Sequence, residues 1–268
     1  MNRDKQQVHD FWNRASCGEE LYLDEADQAG YRAQSAARYA LEPYIVDFAG
    51  FADAQGLRVV EIGVGLGADH QRFAEAGATL WGIDLTERAV EHTRRRLAAF
   101  GLSSILAVGD AEHLDFPDGY FDLVYSWGVL HHSPETPKAI AEARRVLKPG
   151  GRARIMIYHR WSIVGLMLWA RYALLGLKPW LSLRDIYARY LESPGTKAYS
   201  VAEARALFAD FSEVQIRTVL THGDLLESGA GQRHRGALLT LARKVWPRGL
   251  IRRFFSKNGL FMLIEARR

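Results

Sequence analysis

From Arg58 to Tyr158 short apolar runs alternate with segments patterned for helix. LRVVEIG, TLWGIDL, SSILAVGD, FDLVYSWG and RARIMIY are the runs. Between them, Asp69–Ala76, Glu87–Phe100 and Pro137–Leu147 place apolar residues on one helical face. Strand, helix, strand at this cadence predicts a parallel sheet with both faces covered. Before it, residues 1 to about 56 read as helices. Arg32–Tyr44 is Ala-rich with a break at Pro43, and Tyr44, Ile45, Phe48 and Phe51 follow at helical spacing. After it comes an apolar, aromatic stretch, Trp161–Leu191. From Ser200, VAEARALFADF reads as a helix, VQIRTVL as a strand and GLFMLIEARR as a closing strand. The organisation expected is a helical cap over 1–56 and one α/β domain over 57–268, with insertions at about 160–198 and 221–258.

Composition changes this picture little. The 268 residues are 48% hydrophobic and 25% charged, the mixture of an ordinary globular chain. Cys17 is the one cysteine, which excludes an internal disulfide and a multi-thiolate zinc site. No metal is expected. The opening MNRDKQQVHDFWNR is polar and of mixed charge, unlike a secretory signal, and Trp161–Leu177 is too short and is broken by Arg171. A cytoplasmic protein is the expectation. Charge, however, is unevenly placed: between Ser228 and Ile264 there is no Asp or Glu but eight Lys or Arg. Such a segment can face an anionic surface or be solvated.

The sharpest chemical signal is VVEIGVGLGAD, Val59 to Asp69, where a β-branched run enters three alternating glycines and then a helix. Glycines let backbone N–H groups approach a ligand, and the helix offers its positive N-terminus. Asp84 and Asp110 end the next two strands, where a carboxylate can accept hydroxyls of an adenosine ligand. Gly63, Gly65 and Ala68 also fit the dinucleotide pattern G-x-G-x-x-A, so an NAD(P)-dependent oxidoreductase is the competing reading. Glu61 separates the two, because a carboxylate just before the loop repels a pyrophosphate and suits an ammonium.

These segments, with GIDL, GDAEHLDFPDGYFDLVYSWGVLHH and EARRVLKPGGRARI, resemble successive motifs of class I S-adenosylmethionine-dependent methyltransferases. The nearest style is the type 11 group, which includes the ubiquinone/menaquinone-biosynthesis C-methyltransferases. The resemblance covers roughly residues 57–158. It implies a Rossmann-like, mostly parallel sheet of seven strands with helices on both faces, VQIRTVL and GLFMLIEA supplying the late strands and the last running antiparallel. It implies S-adenosyl-L-methionine as cofactor, with Glu61, Gly63, Gly65 and Gly67 around its methionine part. Asp84 and the neighbouring Leu85 would then hold the ribose, Asp110 and Ala111 meet the adenine, and Ser126 and Trp127 line the methionine end.

Methyl transfer from a sulfonium needs alignment more than acid–base chemistry, so catalytic residues leave little trace in sequence. Candidates are His131, beside His132 after the fourth strand, and Tyr158 and His159 at the end of the fifth, with His159 expected as base or substrate orienter. Specificity should lie in the insertions. The first offers a stripe of Ile163, Leu166, Met167, Trp169, Ala170, Leu174 and Leu177. The second interleaves Leu238, Leu241, Val245, Trp246, Leu250, Ile251, Phe254 and Phe255 with cations. These predict a small, apolar or amphiphilic, lipid-like acceptor, with peripheral membrane contact through 238–257. Arg233, His234 and Arg235 offer an anion site. The cations are mixed with aliphatics and no RNA-binding motif occurs, which argues against nucleic acid. A cofactor-binding protein without turnover is the third reading.

Overall fold

The computed structural model describes residues 2–227 and 243–268. Its centre is a seven-stranded sheet: β1 Arg58–Ile62, β2 Thr79–Asp84, β3 Ile105–Val108, β4 Phe121–Trp127, β5 Leu147–Tyr158, β6 Glu213–Val219 and β7 Phe261–Arg267. The strand order is β3-β2-β1-β4-β5-β7-β6. Pairs β1–β2, β1–β4, β2–β3 and β4–β5 are parallel, and β7 lies antiparallel between β5 and β6. Both late strands read from the sequence are therefore present, and the last runs antiparallel. The order reverses between β1 and β4, the switch point where open α/β sheets bind ligands.

The apolar runs are continuous because the central strands are covered on both faces. Val60, Ile62, Val124, Ile155 and Ile157 pack on one face with Ile140 and Ala143 of a helix at Thr136–Val146 (α7 below) and with Phe208. Val59, Leu123, Tyr125, Met156 and Tyr158 pack on the other with Ile45, Phe48 and Phe73. Alternation along each strand thus decides which residues can meet helices on which side.

Helices precede the sheet as the sequence predicts: α1 Arg3–Arg14, α2 Glu19–Tyr22, α3 Gln28–Leu41 and α4 Tyr44–Ala49. Within the sheet region lie α5 Ala68–Glu75, α6 Glu87–Ala99 and α7 Thr136–Val146. The α1 and α2 segments dock on α6: Arg88 donates to Glu19 at 2.8 and 2.5 Å, and its backbone N–H to Asn13 at 3.2 Å. Helix α3 is tied down by Arg96 of α6, which is fully buried. Its guanidinium donates to the Tyr31 carbonyl (2.9 Å), Gln34 (2.7 Å), the Leu66 carbonyl (3.0 Å), Gln71 (2.7 Å) and Ser35.

The insertion after β5 forms α8 Ile163–Trp169 and α9 Leu183–Ile186, each widening at its end into a π-turn. Its predicted apolar stripe is split. Ile163 is buried, whereas Leu166, Leu174 and Leu177 are exposed, and Leu177 has left the helix at φ 54°. Helix α10 is Val201–Leu207 and α11 is Arg248–Phe254. Leu238, Leu241 and the Arg233–His234–Arg235 anion site lie outside the described residues. No described helix is long and apolar enough to cross a membrane.

Candidate functional site

One cavity of about 400 Å³ opens along the carboxyl edge of the sheet. Register places its wall in order. Asp84 pairs with Val108, two residues before Asp110; Ile62 pairs with Ile83, one before Asp84. Trp127 pairs with Met156, two before Tyr158, and Tyr158 pairs with Phe261. The cavity wall thus runs Asp110, Asp84, Gly63, Trp127, Tyr158, Phe261 across six adjacent strands. At a strand spacing of about 4.8 Å, four steps from β3 to β5 span about 19 Å.

The glycine loop forms its floor. Gly63, Gly65 and Gly67 have φ of 86°, 53° and 74°, values that side-chain-bearing residues avoid. A Cβ on Gly63 would meet Val129 at 2.1 Å and one on Gly67 would meet Thr93 at 2.8 Å. At Gly65 a Cβ would meet no protein atom within 4 Å, so a side chain there would stand in the cavity. This open cradle, ringed by backbone N–H groups and carboxylates, fits the ammonium, ribose and adenine of S-adenosylmethionine.

Glu61 is 3% exposed and lines the cavity. Burial pushes its carboxyl well above the usual range, and the nearby Asp69 adds to the push. His70, whose pKa burial lowers to about 3, is neutral. Its Nδ1–H donates to Glu61 at 2.9 Å, and Ser104 donates to its Nε2 at 2.7 Å. Asp69, in the first turn of α5, also lines the cavity. Burial opposes its ionisation, but Arg38 holds its carboxyl below the usual range through bonds of 3.1 and 2.7 Å. Tyr39 and Tyr125 donate to it at 3.0 and 2.8 Å. The Arg38 charge is thereby engaged by Asp69 and, at 3.5 Å, by Glu42, and no cation bonds Glu61 directly.

At the other end, Asp84 accepts from Gly65 N–H (3.2 Å) and from Thr86 N–H and Oγ1–H (3.0 and 2.9 Å). Lys5 of α1 bridges Asp110 and Glu112 at 2.5 Å each. Burial pulls its pKa down, but the two carboxylates outweigh this and raise it. The first helix is thereby clamped over the Asp110 end.

Of the ten residues expected around the cofactor, nine line this cavity: Glu61, Gly63, Gly65, Gly67, Asp84, Leu85, Asp110, Ala111 and Trp127. Ser126 does not. It precedes Trp127 on β4, so the pleat turns it to the opposite face, where its hydroxyl donates to the Ile62 carbonyl at 2.8 Å. The same rule separates Tyr158 from His159. Tyr158 lines the cavity, while His159 points away with Nδ1 3.2 Å from the Gly259 carbonyl. The role of base or orienter expected for His159 is therefore withdrawn. His131 is fully buried beneath His132, and it is His132 that reaches the cavity.

The far end is mainly apolar: Trp12, Tyr22, Leu41, Trp127, Val164, Leu191 and Phe261 line it. Trp127 meets Phe261 edge-on at 5.6 Å, and Tyr158 stacks on Phe261 at 5.8 Å. Val164 and Leu191 come from the insertion after β5; the residues of its predicted stripe do not line the cavity. Two carboxylates stand there, Glu42, 3.5 Å from Arg38, and Glu192. Burial pushes Glu42 up to about 7. Glu192, also from the insertion, accepts the Tyr158 hydroxyl at 2.7 Å and lies 3.4 Å from His132 Nε2. Burial, with Glu192 beside it, raises the Tyr158 phenol well above its ordinary value, so it is a donor at neutral pH.

Residues 60–155 match the family described as methyltransferase domain. Over these residues the chain carries a class I methyltransferase domain of the type 11 group. Its cofactor is S-adenosylmethionine. A ubiquinone/menaquinone biosynthesis C-methyltransferase of Cupriavidus pinatubonensis is 38% identical over 108 residues, 39% of this chain and 44% of that one. The chain matches about half the length of its curated relatives. Among solved structures, the magnesium protoporphyrin IX methyltransferase of Synechocystis, with bound S-adenosylhomocysteine, superposes with TM-score 0.58 at 17% identity, covering 99% of both chains. The [4+2]-cyclase SpnF superposes with TM-score 0.56 at 15% identity over 98% of this chain and 92% of that one. These two likenesses show that the described residues share the methyltransferase fold of those structures.

Lys5, Arg38, Asp69, Glu42 and Glu192 were not singled out as site residues from the sequence. Asp69 sits two residues past the last loop glycine, which is a usable signal. The other four reach the site only through tertiary packing.

Proposed function

We propose that the protein transfers a methyl group from S-adenosylmethionine to a small, uncharged, apolar or amphiphilic acceptor. One observation carries this reading: a single cavity joins the glycine loop and its carboxylates to an aromatic chamber on the same sheet edge. Bound S-adenosylmethionine supplies a methyl already activated by positive sulfur. The chain has then to position, orient and exclude water. Glu61 would receive the ammonium, Asp84 the ribose and Asp110 the adenine edge, with α1 closing over the last. Trp127, Phe261 and Tyr158 would flank the acceptor, and the Tyr158 hydroxyl, held by Glu192, would orient it by donation. With Arg38 engaged by Asp69, and with Glu42 and Glu192 facing the chamber, an anionic acceptor would be repelled. A neutral aromatic ring of quinol type suits the walls and agrees with the names of the relatives.

The test is calorimetry with S-adenosylhomocysteine and NADH, followed by labelled-methyl transfer to demethylated quinols and to their carboxylated analogues. Tight S-adenosylhomocysteine binding, silence toward NADH and labelling of the neutral compounds are expected. NADH uptake without S-adenosylhomocysteine uptake would overturn the reading in favour of an oxidoreductase. The superposition on a cyclase keeps a cofactor-binding protein without methyl transfer as the second reading. Peripheral membrane contact is part of the proposal. It is supported by exposed Val245, Leu250, Phe254 and Phe255 beside Arg252 and Arg253, and by exposed Leu175, Leu177 and Trp180. Co-sedimentation with anionic but not neutral vesicles is expected.

A further inference from the structure

Three buried ring nitrogens without a hydrogen bond occur together beside the cavity: Nδ1 and Nε2 of His131 and Nε2 of His132. Buried polar atoms are rarely left unpaired, and a cluster of them calls for a ligand such as water or an ion. One donor atom from each of His131, His132 and Glu192 lies within 4.8 Å of the other two. His131 is fully buried and His132 is 5% exposed, so bulk water does not compensate them.

The surroundings of the two cavity-facing donors are those of ligands. Thr196 Oγ1–H is committed to the Ser193 carbonyl at 2.7 Å, leaving its oxygen to accept from His132 Nδ1 at 3.1 Å. Ser193 Oγ lies 2.8 Å from the same nitrogen. Donation from Nδ1–H to Thr196 Oγ1 fixes the tautomer that turns the Nε2 lone pair toward Glu192. Without a bridging cation that lone pair would face a carboxylate oxygen at 3.4 Å. The Tyr158 hydroxyl donates to the same carboxylate. A hydroxyl on the outer imidazole nitrogen and a donor on the carboxylate are the outer partners that orient metal ligands.

We infer that His131, His132 and Glu192 bind one divalent first-row transition ion in the wall of the acceptor chamber. Two imidazoles and one carboxylate, with remaining positions open to a cavity, are a donor set for Zn²⁺ or Fe²⁺. Ligands about 2.1 Å from an ion stand roughly 3.0–3.5 Å apart, so the widest separation closes by about 1 Å on binding. Glu192, on a partly exposed turn, supplies that movement. The open positions would accept the oxygen of a hydroxyl or enol acceptor, a use that rests on the methyl-transfer reading. The ion site itself does not.

The experiment uses untagged, chelator-treated full-length protein titrated with Co²⁺, followed by absorbance, and with Zn²⁺, followed by calorimetry. S-adenosylhomocysteine binding is measured in parallel as the check on folding and on the cofactor reading. One equivalent at micromolar or tighter Kd is expected, with visible Co²⁺ bands. Glu192→Gln and His132→Gln should each weaken it at least tenfold while S-adenosylhomocysteine affinity stays within threefold. Absence of a saturable equivalent in the wild type overturns the site. So does unchanged affinity in either variant that still binds S-adenosylhomocysteine. If a variant fails to fold, the Co²⁺ spectrum of the wild type decides: bands without imidazole-nitrogen character overturn the assignment.

Discussion

Glu61→Gln separates two consequences of one buried carboxylate. In the unliganded chain Glu61 is 3% exposed, its ionisation is opposed by burial and by Asp69, and no cation bonds it directly. Glutamine keeps an oxygen to accept from His70 Nδ1–H and never ionises. At pH 7.5 the unfolded carboxyl is ionised while the buried one resists ionisation, a cost that glutamine does not carry. We expect a gain of about 1 kcal/mol, or a Tm rise of about 2–4 °C for a chain of this size. With S-adenosylmethionine bound, the same change leaves the ligand ammonium without its carboxylate. Breaking a buried pair costs about 3–5 kcal/mol; a cavity still open to water lessens this to about 2 kcal/mol, or roughly 30-fold in Kd. Scanning calorimetry at pH 7.5 without ligand and titration calorimetry with S-adenosylhomocysteine read the two effects. A variant that binds the cofactor product as tightly as wild type would refute the ammonium assignment. One that loses both affinity and unliganded stability would assign Glu61 a structural role instead.

Gly65→Ala should fold and yet lose at least tenfold in S-adenosylhomocysteine affinity, since its methyl stands in the cavity. Gly63→Ala, which collides with Val129 at 2.1 Å, should lower Tm by several degrees as well; equal behaviour of the two in melting and binding would contradict the cradle geometry. Glu42, pushed up to about 7 by burial, favours the folded state while protonated, so it contributes stability below pH 4.5 that is lost as pH rises toward 7. Glu42→Gln should therefore match wild type at pH 4 and exceed it by about 2–3 kcal/mol at pH 8, read from urea midpoints at both values. Lys5→Ala removes the bridge to Asp110 and Glu112 and leaves two carboxylates facing each other. Hydrogen exchange over 3–14 should quicken by roughly tenfold, about 1.5 kcal/mol, with little change in the sheet.

The sheet was legible because parallel strands buried on both faces leave unbroken apolar runs, and the glycine loop because its backbone geometry admits few other residues. The pairs at strand ends were less legible. Ser126 with Trp127 and Tyr158 with His159 are neighbours in sequence, but the pleat sends one of each pair to the cavity and the other beneath the sheet. Register decides which, and register depends on partners that the run itself does not name. Glu192 was invisible for another reason: it stands 60 residues from His132 in a segment patterned as packing helix, and only the fold of the insertion after β5 brings the two together. Lys5, Arg38 and Glu42 likewise act from the cap, whose sequence indicates helices and not their destinations.

The Arg96 guanidinium has a consequence for the order of assembly during synthesis. Tyr31, Gln34 and Ser35 leave the ribosome about sixty residues before the side chain that fastens them. Until that arginine emerges, α3 is held only by the bonds of Arg38 and Tyr39 to Asp69, and the Leu66 carbonyl of the nucleotide cradle lacks its donor. Fastening of α3 and setting of the cradle are thus completed together by one late-arriving cation. A nascent chain stalled before residue 96 should be digested from its front end, and one stalled well past it should resist.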